Sequence, residues 1–282
     1  MASLARLQIL ICVVVGFVLP TYAGIIFAPV LNTCGSGGGT VLQDVVSMAK
    51  AAGAYMDNAP GNQKGDAKGH WDFYRVATLF DVIFGAQDGN SQGRWNEVRS
   101  NIQTIANLEN TQPNAYVLCD DSKFWTAFPS NGQPTQFKNP VDNTLYDYPS
   151  AVTCGDSTST GGSLIAYRIN IGGTEFISIC GVQNSHPAQL SELQPKNVEG
   201  ALLPDMLSWS VVFFHEIMHV LFADQRGDVV GGGPPGECYS WTDILSIRGD
   251  YGEKNPRSTT LFALALSFEE WFWHSGSAVK SL

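Results

Sequence analysis

The chain has 282 residues, a net charge of −10 and 44% hydrophobic residues, with only 15% of its residues charged. That is ample apolar material for a packed core, and with no Pro/Ser-rich or charged linker to divide the chain, one domain is expected. The acidic balance and the lack of any Lys/Arg run exclude partners that need a concentrated positive field, so neither nucleic acid nor an anionic membrane surface is expected.

Residues 1–23 carry one charge, Arg6, followed by the apolar run Leu7 to Leu19, a break at Pro20 and Thr21-Tyr22-Ala23 ahead of Gly24. This is the pattern of a secretory signal peptide, and the apolar run is shorter than the roughly 20 residues a spanning helix needs. The expectation is an exported, extracellular chain in which residues 24–282 form the mature domain, with a net charge of −11 once Arg6 is gone and no membrane attachment after cleavage. Cys34, Cys119, Cys154, Cys180 and Cys238 remain after Cys12 leaves, in a compartment that favours disulfides. Their odd number leaves at least one outside an intramolecular pair, and the absence of a C-x-x-C spacing argues against a thiolate zinc or redox site.

Along the chain, Thr40 to Met56 places Val41, Val45, Met48, Ala49, Ala52 and Tyr55 at helical spacing, and Trp71 to Phe84 repeats the pattern with Phe73, Val76, Ala77, Phe80 and Phe84. A third helix is expected from Trp95 to Leu108 and a short strand at Ala115 to Cys119. Residues 122–162, rich in Pro, Asn, Thr, Ser and Gly, read as long loops or weak strands. Ser163 to Ile171 alternates and, across Gly172-Gly173, meets Glu175 to Cys180 as a β-hairpin. Pro204-Asp205 suits the start of a helix whose apolar stripe, Met206, Leu207, Val211, Phe214, Met218 and Leu221, runs to a stop at Gly227. Trp241 to Ile247 reads as a short helix. Asn255 as N-cap with Pro256 in the first turn opens a last helix, apolar nearly all round to about Trp273, which should be buried against the preceding long one. The fold class is α+β, mostly helical with a small antiparallel β-sheet.

The helix opened by Pro204 carries His215-Glu216-Ile217-Met218-His219. Positions i and i+4 lie one above the other on a helix face, so both imidazoles reach one ion, while Glu216 points to the water in the ion's open position. Neutral imidazoles with a carboxylate in tetrahedral array suit Zn²⁺, which acidifies its water so that Glu216 takes the proton as the water attacks a polarised carbonyl. The plainer alternative is a pair of helix histidines that pack without metal. The apolar surroundings and a total of five histidines in an exported chain weigh for the metal.

A third ligand has to come from downstream. Asp224 falls at the helix end and faces another way, whereas Asp228, Glu237, Asp243 and Asp250 follow a turn that can return them. Glu237 is the choice, because the Gly231 to Gly236 segment can bring the chain back to the metal; its alternative use is as a solvated acid at a helix N-terminus. Tyr239 and Tyr251 are candidate donors to a developing oxyanion, Tyr239 first. Glu269, Glu270, His186 and His274 read as structural or exposed.

The order of elements, the His215 to His219 motif and the run Asn255-Pro256-Arg257-Ser258-Thr259-Thr260-Leu261-Phe262-Ala263-Leu264-Ala265 resemble the fungal secreted deuterolysin-type zinc endopeptidases, the aspzincins. The likeness covers most of the second half loosely, and only H-E-x-x-H is strict. It implies a zincin-like metallopeptidase fold and a third ligand from an Asp within G-T-x-D-x-x-Y-G. The nearest stretch here, Gly236 to Ser240, sets Glu237 one place off that Asp, and Asn255 to Thr259 stands where the family has N-A-D-S-Y, with Arg257 and Thr259 replacing its Asp and Tyr. Two functions follow. One is a monomeric secreted zinc endopeptidase whose protein or peptide substrate lies extended along an edge strand of the Ser163 to Cys180 hairpin. The other is a catalytically inactive secreted zinc-binding protein or surface antigen with a peptidase-like fold.

Overall fold

The apolar stripes of the N-terminal half wind into α1 (Gly38–Asn62), α2 (Ala67–Phe84) and α3 (Ser91–Ala106). The computed structural model of the chain describes residues 27–29, 38–62, 67–85, 91–108, 115–119, 121–126, 136–148, 153–154, 165–180, 199–222, 238–249 and 251–280. The expected signal peptide, Cys34, His186, Asp224, Asp228, Glu237 and Asp250 lie outside the described residues. On α1 the fully or nearly buried positions are Val41, Val45, Met48, Ala49, Ala52, Met56 and Ala59, the i, i+4, i+7 series that puts one face on the core. The expected stripe is therefore the real one, although α1 and α2 both begin earlier than it does, and α3 runs from Ser91 to Ala106 rather than from Trp95 to Leu108.

The main sheet has four strands in the order β1 (Phe27–Pro29), β2 (Ala115–Leu118), β7 (Thr174–Ile179), β6 (Ala166–Ile171). It is mixed rather than antiparallel: β1 to β2 and β2 to β7 are parallel, and only the β6–β7 hairpin is antiparallel. The reason is connectivity. Three helices separate β1 from β2, and a crossover of that length returns a chain parallel to itself. The hairpin turns at Gly172 and Gly173, whose φ angles of 59° and 82° are those of the two-residue type I′ loop that the twist of paired strands favours. A side chain at Gly172 would also collide with the Tyr146 ring, 2.5 Å from an ideal Cβ.

Alternation splits the sheet into two faces. Ala115, Val117, Ile177 and Ile179 pack with the helices, while Leu118, Tyr167, Ile169, Ile171 and Phe176 pack with a second, three-stranded antiparallel sheet of β3 (Trp125–Thr126), β4 (Gln136–Lys138) and β5 (Leu145–Asp147). These short strands occupy the stretch that composition reads as loops or weak strands. They hold because Phe137 packs between Trp125, edge-on, and Phe176, tilted, at ring separations of 5.1 and 5.2 Å. Buried Asp121 accepts from the Tyr167 hydroxyl at 2.5 Å and from the Cys154 amide at 2.9 Å, and Trp125 Nε1 donates to Tyr167 at 3.0 Å. Burial and the neighbouring Asp121 charge push the Tyr167 phenol well above its ordinary range, so it stays a donor. A disulfide, Cys154–Cys180, closes the end of β7 onto the same network. Cys119 is disulfide-bonded as well, and Cys238 is a buried thiol.

The helical side is organised around α6 (Pro256–Ser267). Leu261, Phe262, Ala263, Leu264, Ala265 and Leu266 have no exposed surface, and α6 packs against α1, α2 and α4 (Trp209–Leu221). The Phe262 ring sits 5.8 Å from Phe80 and 5.5 Å from Phe84, with Trp95 of α3 closing the group at 4.9 Å from Phe80. The last helix ends at Ser267, short of the expected Trp273. The Arg75 guanidinium, buried over the Tyr55 ring at 4.5 Å, donates to the carbonyls of Ala265 and Phe268 at 3.4 and 3.2 Å and so caps the final turn. The chain then forms β8 (Trp271–Phe272), antiparallel to β9 (Val279–Lys280). Among the described residues no helix is long and apolar enough to cross a membrane.

Phe262→Ala should cost about 3–5 kcal/mol in urea unfolding, the range for emptying a tightly packed aromatic site; a loss near zero would mean that α6 is not the centre of the core. The Tyr55 phenol is pushed up to about 12, first by burial and then by its hydrogen bond to Glu269. The folded state therefore keeps that proton after the unfolded chain has released it near 10, so stability is full below pH 10 and declines as pH rises towards 12. Tyr55→Phe should flatten that part of the urea-midpoint profile; an unchanged profile would contradict the assignment.

Candidate metal centre

Helix α4 starts at Trp209, with Ser208 as N-cap accepting from the Val211 amide at 3.2 Å. Pro204 and Asp205 form only a 3-10 turn, Leu203–Asp205, rather than the expected start, and the helix stops at Leu221 rather than near Gly227. Proline fits the turn's first positions, but the serine hydroxyl is the better partner for the amides of the first helical turn. Two polar ties fix where α4 lies. Ser210 Oγ donates to Asp44 Oδ2 of α1 at 2.9 Å, and Arg257 Nη2 of α6 donates to the Pro204 carbonyl at 2.7 Å. Arg257 therefore joins the beginning of α6 to the 3-10 turn that precedes α4.

Every residue from Trp209 to Met218 is buried, so His215 and Glu216 are ionisable exceptions on a helix that is otherwise apolar over that stretch save for Ser210. They are 6% and 7% exposed, and His219 in the last turn is half-buried. The two imidazoles lie edge to face with ring centres 5.0 Å apart. Two rings that share one tetrahedral ion with nitrogens at about 2.0–2.1 Å have centres roughly 5 Å apart, so the pair fits Zn²⁺. The carbonyl end of α4 adds a negative field where His219 stands, which favours a cation. Helix α4 packs on β6 and β7, and the face of the hairpin on that side carries Ala166, Arg168, Asn170 and Glu175. Arg168 and Asn170 both donate to the Glu175 carboxylate, at 2.7 Å from Arg168 Nε and 2.6 Å from Asn170 Nδ2.

Tyr239 is brought to this site. Its ring stacks on His215 at 5.8 Å and 28°, while the residue as a whole is 58% exposed. Tyr251 instead packs against the helical core. The segment that carries Tyr239 leads into α5 (Trp241–Ser246), as the short apolar stretch suggested. Asp243 is occupied at the start of that helix: Ser240 Oγ donates to its carboxylate at 2.6 Å and accepts from its amide at 3.1 Å, a reciprocal cap. Of the candidate third ligands only Asp243 falls among the described residues, and no group of three His, Cys, Asp or Glu among those residues is placed to hold a metal. Glu269 and Glu270 are exposed, with Glu269 accepting from Tyr55, and His274 is exposed beside Phe272.

Asn255 departs from expectation in an informative way. It holds the N-cap position of α6, yet its side chain makes no capping bond. Its Nδ2 donates to the Cys238 carbonyl at 3.1 Å and to Ser258 Oγ at 2.9 Å. The Asn-Pro pair reads in sequence as a helix start, and no local pattern indicates a bond that spans 17 positions.

Asp243→Ala leaves Ser240 Oγ accepting from the residue-243 amide, so it should cost no more than the ~1 kcal/mol of a lost N-cap and leave a zinc titration of the chain unchanged; a large fall in zinc binding would make Asp243 a ligand. Comparison of the chain with protein-family models, with curated proteins and with solved structures finds no match.

Proposed function

We propose that the chain is a secreted zinc-dependent endopeptidase with a zincin-like fold. The observation that carries the reading is the pair His215 and His219, 5.0 Å apart on a buried helix, with Glu216 between them in sequence and Tyr239 stacked on the first imidazole. The hairpin that lies against this helix supports it. β6 is the edge of the main sheet, and its outer edge has no strand partner among the described residues, so an extended peptide can add there by main-chain hydrogen bonds. The export pattern of residues 1–23 and the Cys154–Cys180 disulfide fit an extracellular site of action.

His215 and His219 would hold the ion, with Glu237 the proposed third ligand. A zinc ion held there would supply Lewis acidity for acidifying a water and polarising the scissile carbonyl. Glu216 would serve as the general base, taking a proton from the attacking water and passing it to the departing amine, so that the carboxylate is regenerated. The near absence of exposed surface around Glu216 keeps bulk water from competing for that proton. The Tyr239 hydroxyl, on an exposed ring, donates to the oxyanion as it develops.

Glu216→Gln keeps the shape of the side chain and removes the base. It should lower kcat on an unfolded protein substrate by about 10²–10⁴-fold while zinc binds as before. Undiminished cleavage by this variant would sink the mechanism. A folded wild-type chain that binds zinc and cleaves nothing would instead favour a zinc-binding protein without turnover.

A further inference from the structure

The segment carrying Tyr239 is tied to the start of α6 by the side chain of Asn255. Asn255 is 1% exposed, and both hydrogens of its amide are used, one on the Cys238 carbonyl and one on Ser258 Oγ. The backbone around it is fixed in turn. Asn255 N donates to the Gly252 carbonyl at 3.3 Å, and Ser258 N donates to the Asn255 carbonyl at 3.0 Å. Glu253, inside the preceding turn Gly252–Lys254, faces Arg94 of α3 at 3.7 Å in a buried pair, and Arg94 also donates to the Gly85 carbonyl at 2.5 Å. The clamp is thus a rigid one. It also comes at the expense of an ordinary cap: an asparagine at this position normally turns its oxygen to the first helical amides, and here it makes no such bond.

The clamped group lies one residue before Tyr239. Cys238 is buried, Ser240 begins the reciprocal cap of α5, and between them Tyr239 turns its ring onto His215. With the residues on either side fixed, the position of the Cys238 carbonyl sets where the Tyr239 backbone leaves the core, and so where its ring meets the imidazole.

We propose that Asn255 is a positioning residue: by holding the Cys238 carbonyl it sets the Tyr239 ring against His215. Only its consequence for turnover rests on the peptidase reading; the placement of the ring does not. An amide is required because it alone brings two donors in this geometry. The isosteric Asn255→Asp offers the Cys238 carbonyl an oxygen in place of a donor, and the two repel.

The test uses the full mature chain with carbon-13-labelled histidine, zinc-free, with the His215 ring signals identified from His215→Gln. Tyr239→Ala removes the stacked ring and gives the reference shift of those signals. Asn255→Asp should shift the His215 signals in the same direction and by a comparable amount, leaving those of His274 in place. If Asn255→Asp does not fold by circular dichroism, Ser258→Ala, which frees one amide hydrogen, should give a smaller shift of the same sign. His215 signals that stay where they are in a folded Asn255→Asp, or in Ser258→Ala where that is the variant that folds, overturn the proposal. On a cleaved peptide, Asn255→Asp should lower kcat by about tenfold with KM unchanged and add nothing in a Tyr239→Phe background. An additive effect there would reduce Asn255 to a structural role and overturn the proposal. Shifted His215 signals in a chain that cleaves nothing would uphold the positioning role and refute the peptidase reading, so the two failures are told apart.

Discussion

A helix that is apolar on every side has to be enclosed, and α6 imposes that requirement on the whole helical half. From Leu261 to Leu266 no residue is exposed, so α1, α2 and α4 are drawn around it. Each large side chain buried this way contributes roughly 1.5–3 kcal/mol, which makes the arrangement expensive to alter. Helix α4 is covered by α1 and α6 and also meets the β6–β7 hairpin. His215 and Glu216 are consequently held in a nearly dry place, where charges interact more strongly than at a surface.

The polar groups left in this interior act as pins between elements. Ser210 to Asp44 sets α4 against α1, Arg257 to Pro204 sets the entry of α4 against α6, and Arg75 ends α6. On the opposite face of the sheet, Asp121 gathers Tyr167 and Cys154, so the hairpin facing α4 is braced from behind. Asn255 belongs to the same class, and it is the pin that reaches the residue next to Tyr239. The shared logic is that a buried donor must find an acceptor, and each of these finds one on a different element.

Much of the fold is legible in the sequence because it rests on periodicity. The stripes of α1 and α2, the Gly172-Gly173 hairpin and the all-round apolar α6 follow from side-chain pattern alone. What escapes is set by distant partners. The β3 to β5 strands are two or three residues long, too short for an alternation to register, and are held by Phe137 and the Asp121 network. The parallel pairings depend on how helices return the chain, and the end of α6 depends on Arg75, 190 positions away from Ala265. At the site, the His215–His219 pair is readable because both residues belong to one helix and the helix repeat brings them together. The approach of Tyr239 to His215 rests on no periodic pattern, and its fixation by Asn255 has no local signal in the sequence.

The proposed role of the buried imidazole pair is to hold zinc for peptide hydrolysis. It is tested most directly by digesting an unfolded protein with the purified mature chain before chelation, after chelation, and after zinc is restored. Cleavage should disappear with the chelator and return with zinc, at about one zinc per chain. Cleavage indifferent to the chelator, or none at all from a folded chain with zinc bound, would contradict it.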